Sequence, residues 1–81
     1  MLVEMTEYLV KSVVSQPDMV TVKEFPSENE KEMVIEVLVS ENDIGKVIGK
    51  NGKMANAIRT LVQANSYLQD NKRVKINIES F

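Results

Sequence analysis

The sequence predicts an α+β fold: a two-layer sandwich in which a three-stranded mixed sheet is covered by helices on one face. Three observations lead there. Apolar residues recur at helical spacing over 2–15 and 53–68 and at strand spacing over 19–25, 32–39 and 73–79. With a short helix just before residue 49, the order reads α-β-β-α-α-β. The polar link between the first two strands is of hairpin length, whereas the helix pair is long enough to carry the chain back for a parallel third strand.

In the first segment Leu2, Met5, Leu9 and Val13 form an apolar stripe, widened by Val10 and Val14, with Glu4, Glu7 and Lys11 on the other side. Gln16-Pro17-Asp18 ends it, because the residue before a proline is pushed out of the helical region. Residues 19–25 are rich in β-branched side chains, and Pro26 to Lys31 is the polar connection. In the second strand Met33, Ile35, Val37 and Val39 alternate onto one face. Val34 and Leu38 make the other face partly apolar, which predicts a central strand. Ser40-Glu41-Asn42-Asp43 has the form of a capping box, with Ser40 accepting from the backbone near Asp43. A short helix through Ile44, Val47 and Ile48 stops at Gly49. A longer one over 53–68 is expected to turn Met54, Ile58, Leu61, Val62, Asn65 and Leu68 to the core. After the turn Asp70-Asn71-Lys72, the last strand alternates Val74, Ile76 and Ile78 inward with Arg73, Lys75, Asn77 and Glu79 outward.

The chain has 81 residues, which predicts one domain over 1–81 with a thin aliphatic core, aromatics being only 5%. There is no cysteine and no histidine. Disulfides, thiolate nucleophiles, Cys-based metal sites and Ser-His-Asp or Cys-His hydrolases are thereby excluded, and a reducing, cytoplasmic setting is expected. Glu4 and Glu7 without a basic cluster argue against a signal peptide, and no apolar run is long enough to span a membrane. Asp and Glu are scattered without the spacing of a metal site, so no metal or other cofactor is expected.

Charge is uneven. Residues 1–43 hold ten acids and three bases, and residues 44–81 hold seven bases and two acids, so a net charge of −2 conceals a basic half. That asymmetry suggests a local anion site, although surface charge can also fall this way with no partner.

All three glycines and three of those seven bases lie in Ile44-Gly45-Lys46-Val47-Ile48-Gly49-Lys50-Asn51-Gly52-Lys53. Two helical stretches flank a Gly-Lys-Asn-Gly link. Without Cβ atoms, Gly49 and Gly52 let a polyanion backbone approach the main chain closely. The amides opening the next helix suit phosphate, and Lys50 and Lys53 add full charges, with Lys46 and Arg59 as candidates for the groove edge. Asn51 offers its amide or serves as a turn residue. Ile44, Val47 and Ile48 are candidates for an apolar wall against splayed bases, with core packing the favoured main role for Val47 and Ile48. No aromatic is placed beside the loop for base stacking. A Walker A loop is excluded, since Met54 stands where Ser or Thr must follow the lysine, and the dinucleotide fingerprint fails on glycine spacing. A plain helix–turn–helix would explain the glycines but not the lysines at the tip.

Val47-Ile48-Gly49-Lys50-Asn51-Gly52 resembles the V-I-G-x-x-G signature of the KH RNA-binding domain, whose GXXG loop clamps four nucleotides of single-stranded backbone. The element order resembles the type II, bacterial form of that fold. Pro17-Asp18, Val34-Ile35-Glu36-Val37, the run from Asp43 to Gly49 and Ala57-Ile58-Arg59-Thr60-Leu61-Val62 are similar to the small single-KH bacterial proteins of the KhpA type. On that resemblance 1–31 is a helix–strand extension and 32–81 the β-α-α-β core, with the GXXG loop at 49–52. It implies a non-catalytic single-stranded RNA-binding protein, an RNA chaperone or post-transcriptional regulator. It also implies a homodimer, a heteromer with a larger KH protein of the Jag/KhpB type, and a link to cell shape and wall biogenesis. Ala55, Leu38 and Asn51 depart from the pattern in ways that predict weaker phosphate attraction. Two alternatives are a protein-interaction or dimerisation module with little RNA binding of its own, and an enzyme, which the missing His and Cys disfavour.

Overall fold

The computed structural model describes residues 2–81; Met1, part of the expected N-terminal extension, lies outside the described residues. Helix α1 covers Leu2–Lys11 and buries Leu2, Thr6 and Val10. It ends earlier than the expected residue 15. The amides of Ser15 and Gln16 are committed to the carboxylate of Asp43, at 2.9 and 3.0 Å, so the helical ladder cannot continue through them. Val13 and Val14 still pack against the core from beyond the helix end. Pro17–Met19 forms a single 3₁₀ turn, because proline presets the dihedral that opens it, and this delays the first strand.

Strand β1 is Thr21–Pro26, β2 is Glu32–Val39 and β3 is Arg73–Ser80. β2 lies in the centre, antiparallel to β1 (Val22 opposite Val37) and parallel to β3 (Ile35 opposite Ile76). This is the mixed sheet that the connection lengths predict. Met33, Ile35, Val37 and Val39 all point to the helix face and are buried, which fixes the register, since a one-residue slip would expose all four.

Helices α2 (Ile44–Ile48) and α3 (Lys53–Gln69) complete the order. The buried arc of α3 is Ala55, Ile58, Val62 and Ser66. The expected stripe is thus rotated: Met54, Leu61 and Leu68 are 38%, 51% and 86% exposed. Two small residues explain the rotation. Ala55 lets α3 seat closely, and the Ser66 hydroxyl donates to the Lys72 carbonyl at 2.8 Å, tying the helix end to the turn before β3. That turn closes with Asn71 at φ +53 and the amides of Asp70 and Asn71 both donating to the Ser66 carbonyl.

The free edge of β3 is covered by side chains of α3. The Gln63 amide oxygen accepts from the Val74 N–H at 2.8 Å, its nitrogen donates to the Lys72 carbonyl at 3.0 Å, and Arg59 Nε donates to the Ile76 carbonyl at 3.3 Å. These bonds hold α3 across the sheet and aim its N-terminus, with the loop before it, toward the far end of β3.

Candidate nucleic-acid interface

The loop between α2 and α3 is one 3₁₀ turn, Lys50–Gly52. Gly49 has φ +76 and ψ 174, a combination essentially restricted to glycine. A Cβ there would stand 2.6 Å from Met54 Cβ and 2.8 Å from the Met54 amide nitrogen. Met54, expected in the core, is instead the floor that keeps residue 49 bare. Gly52 is left-handed (φ +76, ψ 9), yet a Cβ there would meet only Asn56 at 3.9 Å, so conformation alone demands it. Asn51 is left-handed too (φ 56, ψ 26), which asparagine tolerates better than most residues. Lys50, Asn51 and Lys53 are exposed around the turn. The Gly52 and Lys53 amides bond back to the Gly49 and Lys50 carbonyls, so these two, expected to be open to phosphate, are already engaged.

Of the three apolar candidates before the loop, Val47 is fully buried and belongs to the core. It therefore cannot form part of a wall. Ile44 is half-buried and packed against the core, while Ile48 is half-buried outside that cluster and borders the loop. Gly45 is exposed, and a Cβ there would meet nothing within 4 Å. Its lack of a side chain is not required by the local fold, which marks α2 as a second bare surface leading into the turn.

The polar anchor of this region is Asp43, whose side chain is fully buried. Its carboxylate accepts from the Ser15 N–H at 2.9 Å, the Ser15 hydroxyl at 2.7 Å, the Gln16 N–H at 3.0 Å and the Ser40 hydroxyl at 3.3 Å. Ser40 thus donates its hydroxyl rather than capping with it, and the helix starts at Ile44 with Asp43 as its N-cap. The backbone and hydroxyl bonds from Ser15, then the Gln16 amide and the Lys46 ammonium, hold the carboxyl down at about 2 against the opposing pull of burial. Lys46 Nζ lies 3.6 Å from this carboxylate, so part of its charge is compensated from within. Sequence inspection missed this anchor because Ser15 is 28 positions away. Arg59 sits away from the loop tip, draped over β3. Among the described residues there is no cluster of Asp, Glu, His or Cys able to hold a metal, and no helix is long and apolar enough to cross a membrane.

Residues 3–78 match the family described as KhpA/KhpB, KH domain. The chain belongs to this family. It is 43% identical over 75 residues to the RNA-binding protein KhpA of Clostridium perfringens, covering 93% of this chain and 96% of that one. To the RNA-binding protein KhpA of Borreliella burgdorferi it is 41% identical over 76 residues, 94% and 89% of the two chains. Among solved structures it superposes on Era in complex with MgGDPNP and nucleotides 1506-1542 of 16S ribosomal RNA, with a TM-score of 0.69 over 98% of this chain at 22% identity. The chain spans 29% of that Era chain, and the likeness establishes the shared type II KH fold.

Proposed function

We propose that this KhpA/KhpB-family chain is a non-catalytic, single-stranded RNA-binding protein, one KH unit over 1–81, that clamps the RNA backbone against the Gly49–Gly52 turn. The observation that carries this is the turn itself. Its backbone is kept bare by Met54 beneath Gly49, bent by the positive φ of Gly49, Asn51 and Gly52, and ringed by Lys50 and Lys53. A sugar–phosphate strand is the polymer that combines a need for close backbone approach with a charge at every unit. The relatives named RNA-binding protein KhpA, and the RNA in the Era complex that shares this fold, support the reading.

In this arrangement Gly49 and Gly52 give access, Lys50 and Lys53 meet phosphates, and Asn51 presents its amide at the tip. Lys46 and Arg59 supply flanking charge, and Ile44 and Ile48 give bases an apolar side. With ~3–4 phosphates neutralised, the log–log salt slope is about −2 to −3. The double change Lys50→Asp, Asn51→Asp tests the mechanism. Binding to labelled single-stranded RNA collapses while the circular dichroism spectrum is kept; unchanged binding would overturn it.

One observation favours self-association. Met54, Ala57, Leu61 and Leu68 recur along one exposed side of α3, with Tyr8 of the neighbouring α1 73% exposed. Apolar side chains at this spacing fit a second helix, and we place the homodimer contact there. A modest single-site affinity is then raised by linkage. RNA chaperone and post-transcriptional roles in the cytoplasm, a heteromer with a larger Jag/KhpB-type protein, and a part in cell shape and wall biogenesis complete the proposal, resting on family membership.

A further inference from the structure

Helix α2 is too short to hold itself in place. It runs only from Ile44 to Ile48 and buries Val47 alone. A helix of this length has no independent stability, and one buried side chain sets its position without setting its rotation about that contact. The Gly49–Gly52 turn hangs directly from its end, so a pivot of α2 about Val47 moves the turn. Attachments at both ends remove that freedom. At one end Gly49 lies against Met54. At the other stands Asp43, whose carbonyl accepts from the Lys46 and Val47 amides at 3.0 and 3.1 Å and so opens the helix.

The side chain of Asp43 looks away from α2. Its buried carboxylate takes both the amide and the hydroxyl of Ser15, the amide of Gln16 and the hydroxyl of Ser40, so it binds α2 to the segment that follows α1 and to the end of β2. The same carboxylate stands 3.6 Å from Lys46 Nζ, a cation of the RNA site. Fold stability alone does not account for a carboxylate here. The desolvation of a buried charge is hard to offset, and an apolar side chain of similar volume is often as good for stability. What a fully bonded acceptor adds is direction: its partners fix one orientation, where apolar packing leaves rotation soft.

We propose that Asp43 is a positioning residue for RNA binding. Without touching RNA, it locks the rotation of α2 onto Ser15 and Gln16, and with it the aim of the Gly49–Gly52 turn and the seat of Lys46. This rests on the RNA reading above and gives the helix–strand extension a part in that binding. Loosening the lock leaves every loop residue intact but makes the bound geometry one arrangement among several, which weakens affinity by the fraction of time it is absent.

The test is fluorescence anisotropy with a labelled single-stranded RNA, at a temperature where circular dichroism shows every variant folded. Asp43→Asn keeps the shape but turns an amide nitrogen toward donors, and it weakens binding about tenfold. Ser15→Ala, at an exposed residue, removes one hydroxyl bond to the carboxylate and weakens binding about threefold. Ser15→Thr keeps the hydroxyl and binds as wild type. Val62→Ala is the control for stability, a core change on α3 about 15 Å along the helix from Gly52. It lowers the urea midpoint at least as far as Ser15→Ala and leaves RNA affinity unchanged. The proposal is overturned if Asp43→Asn and Ser15→Ala match wild type in affinity, or if Ser15→Thr fails to restore it. It is also overturned if Val62→Ala loses affinity in proportion to its loss of stability, as a merely structural role requires. The loop variant Lys50→Asp, Asn51→Asp separates this inference from the reading beneath it. Where that variant loses binding and the anchor variants keep it, the positioning role alone falls; where it binds normally, the loop mechanism falls and this inference with it.

Discussion

Three glycines within eight positions answer to three different constraints, and alanine at each has a different consequence. Gly49→Ala forces a Cβ into a conformation that costs about 1–3 kcal/mol for a non-glycine residue. It also sets that atom 2.6 Å from Met54 Cβ and 2.8 Å from a backbone nitrogen of α3, where nothing flexible can yield. Overpacking of this kind adds about 1–3 kcal/mol, so the change removes about 2–6 kcal/mol. A domain of this size has about 4–12 kcal/mol in all. Gly52→Ala makes only an ordinary contact with the Asn56 side chain at 3.9 Å and carries the left-handed cost alone, about 1–2 kcal/mol. Gly45→Ala sits in a helix with nothing within 4 Å and stabilises by about 0.5–1 kcal/mol. Urea denaturation midpoints should therefore rise in the order Gly49→Ala, Gly52→Ala, wild type, Gly45→Ala. RNA affinity should follow a different order, since the methyl of Gly45→Ala obstructs an exposed approach: the most stable variant binds several-fold more weakly than wild type. The reasoning is refuted if Gly49→Ala is no less stable than Gly52→Ala, or if Gly45→Ala destabilises.

Other consequences are as definite. Asp43→Asn lowers the melting temperature at neutral pH. The folded carboxyl titrates at about 2 rather than 3.8, so its contribution is complete above pH 4 and is lost as pH falls toward 2. Melting curves of wild type and variant should therefore converge in acid, and a constant gap down to pH 2 would contradict this. Gln63→Ala uncovers the edge of β3 at a cost of about 1–3 kcal/mol. Hydrogen exchange should show the Val74 amide opening first, and full protection there would exclude the bond. Leu61→Glu or Leu68→Glu, both at exposed positions, should keep the fold while shifting sedimentation from dimer to monomer; unchanged sedimentation at the dimer position would move the contact elsewhere.

Where period and polarity agree, the sequence was enough. β2 alternates buried and half-buried positions, and β3 turns Val74, Ile76 and Ile78 inward with Ile76 buried; their limits, to within one residue, and their neighbours follow from that pattern. The Gly-Lys-Asn-Gly turn was legible as a bare, basic bend because glycine and lysine act there through local chemistry. The face of α3 was not. A helix can be rotated by what packs closest, and Ala55 and Ser66 decided the rotation over the larger Leu61 and Leu68. The end of α1 was hidden for another reason, since Asp43 stops it from across the fold. Val47 read as a candidate for the wall with core packing as its favoured role, and the packing of α2 on the sheet places it in the core.

The most direct test of the central claim is a titration of the isotopically labelled protein with a short single-stranded RNA, followed by amide nuclear magnetic resonance shifts. The account predicts that the largest changes fall on Gly45, Gly49, Lys50, Asn51, Gly52 and Lys53. Changes confined to the exposed side of α3 or the open face of the sheet, with those amides unmoved, would contradict it.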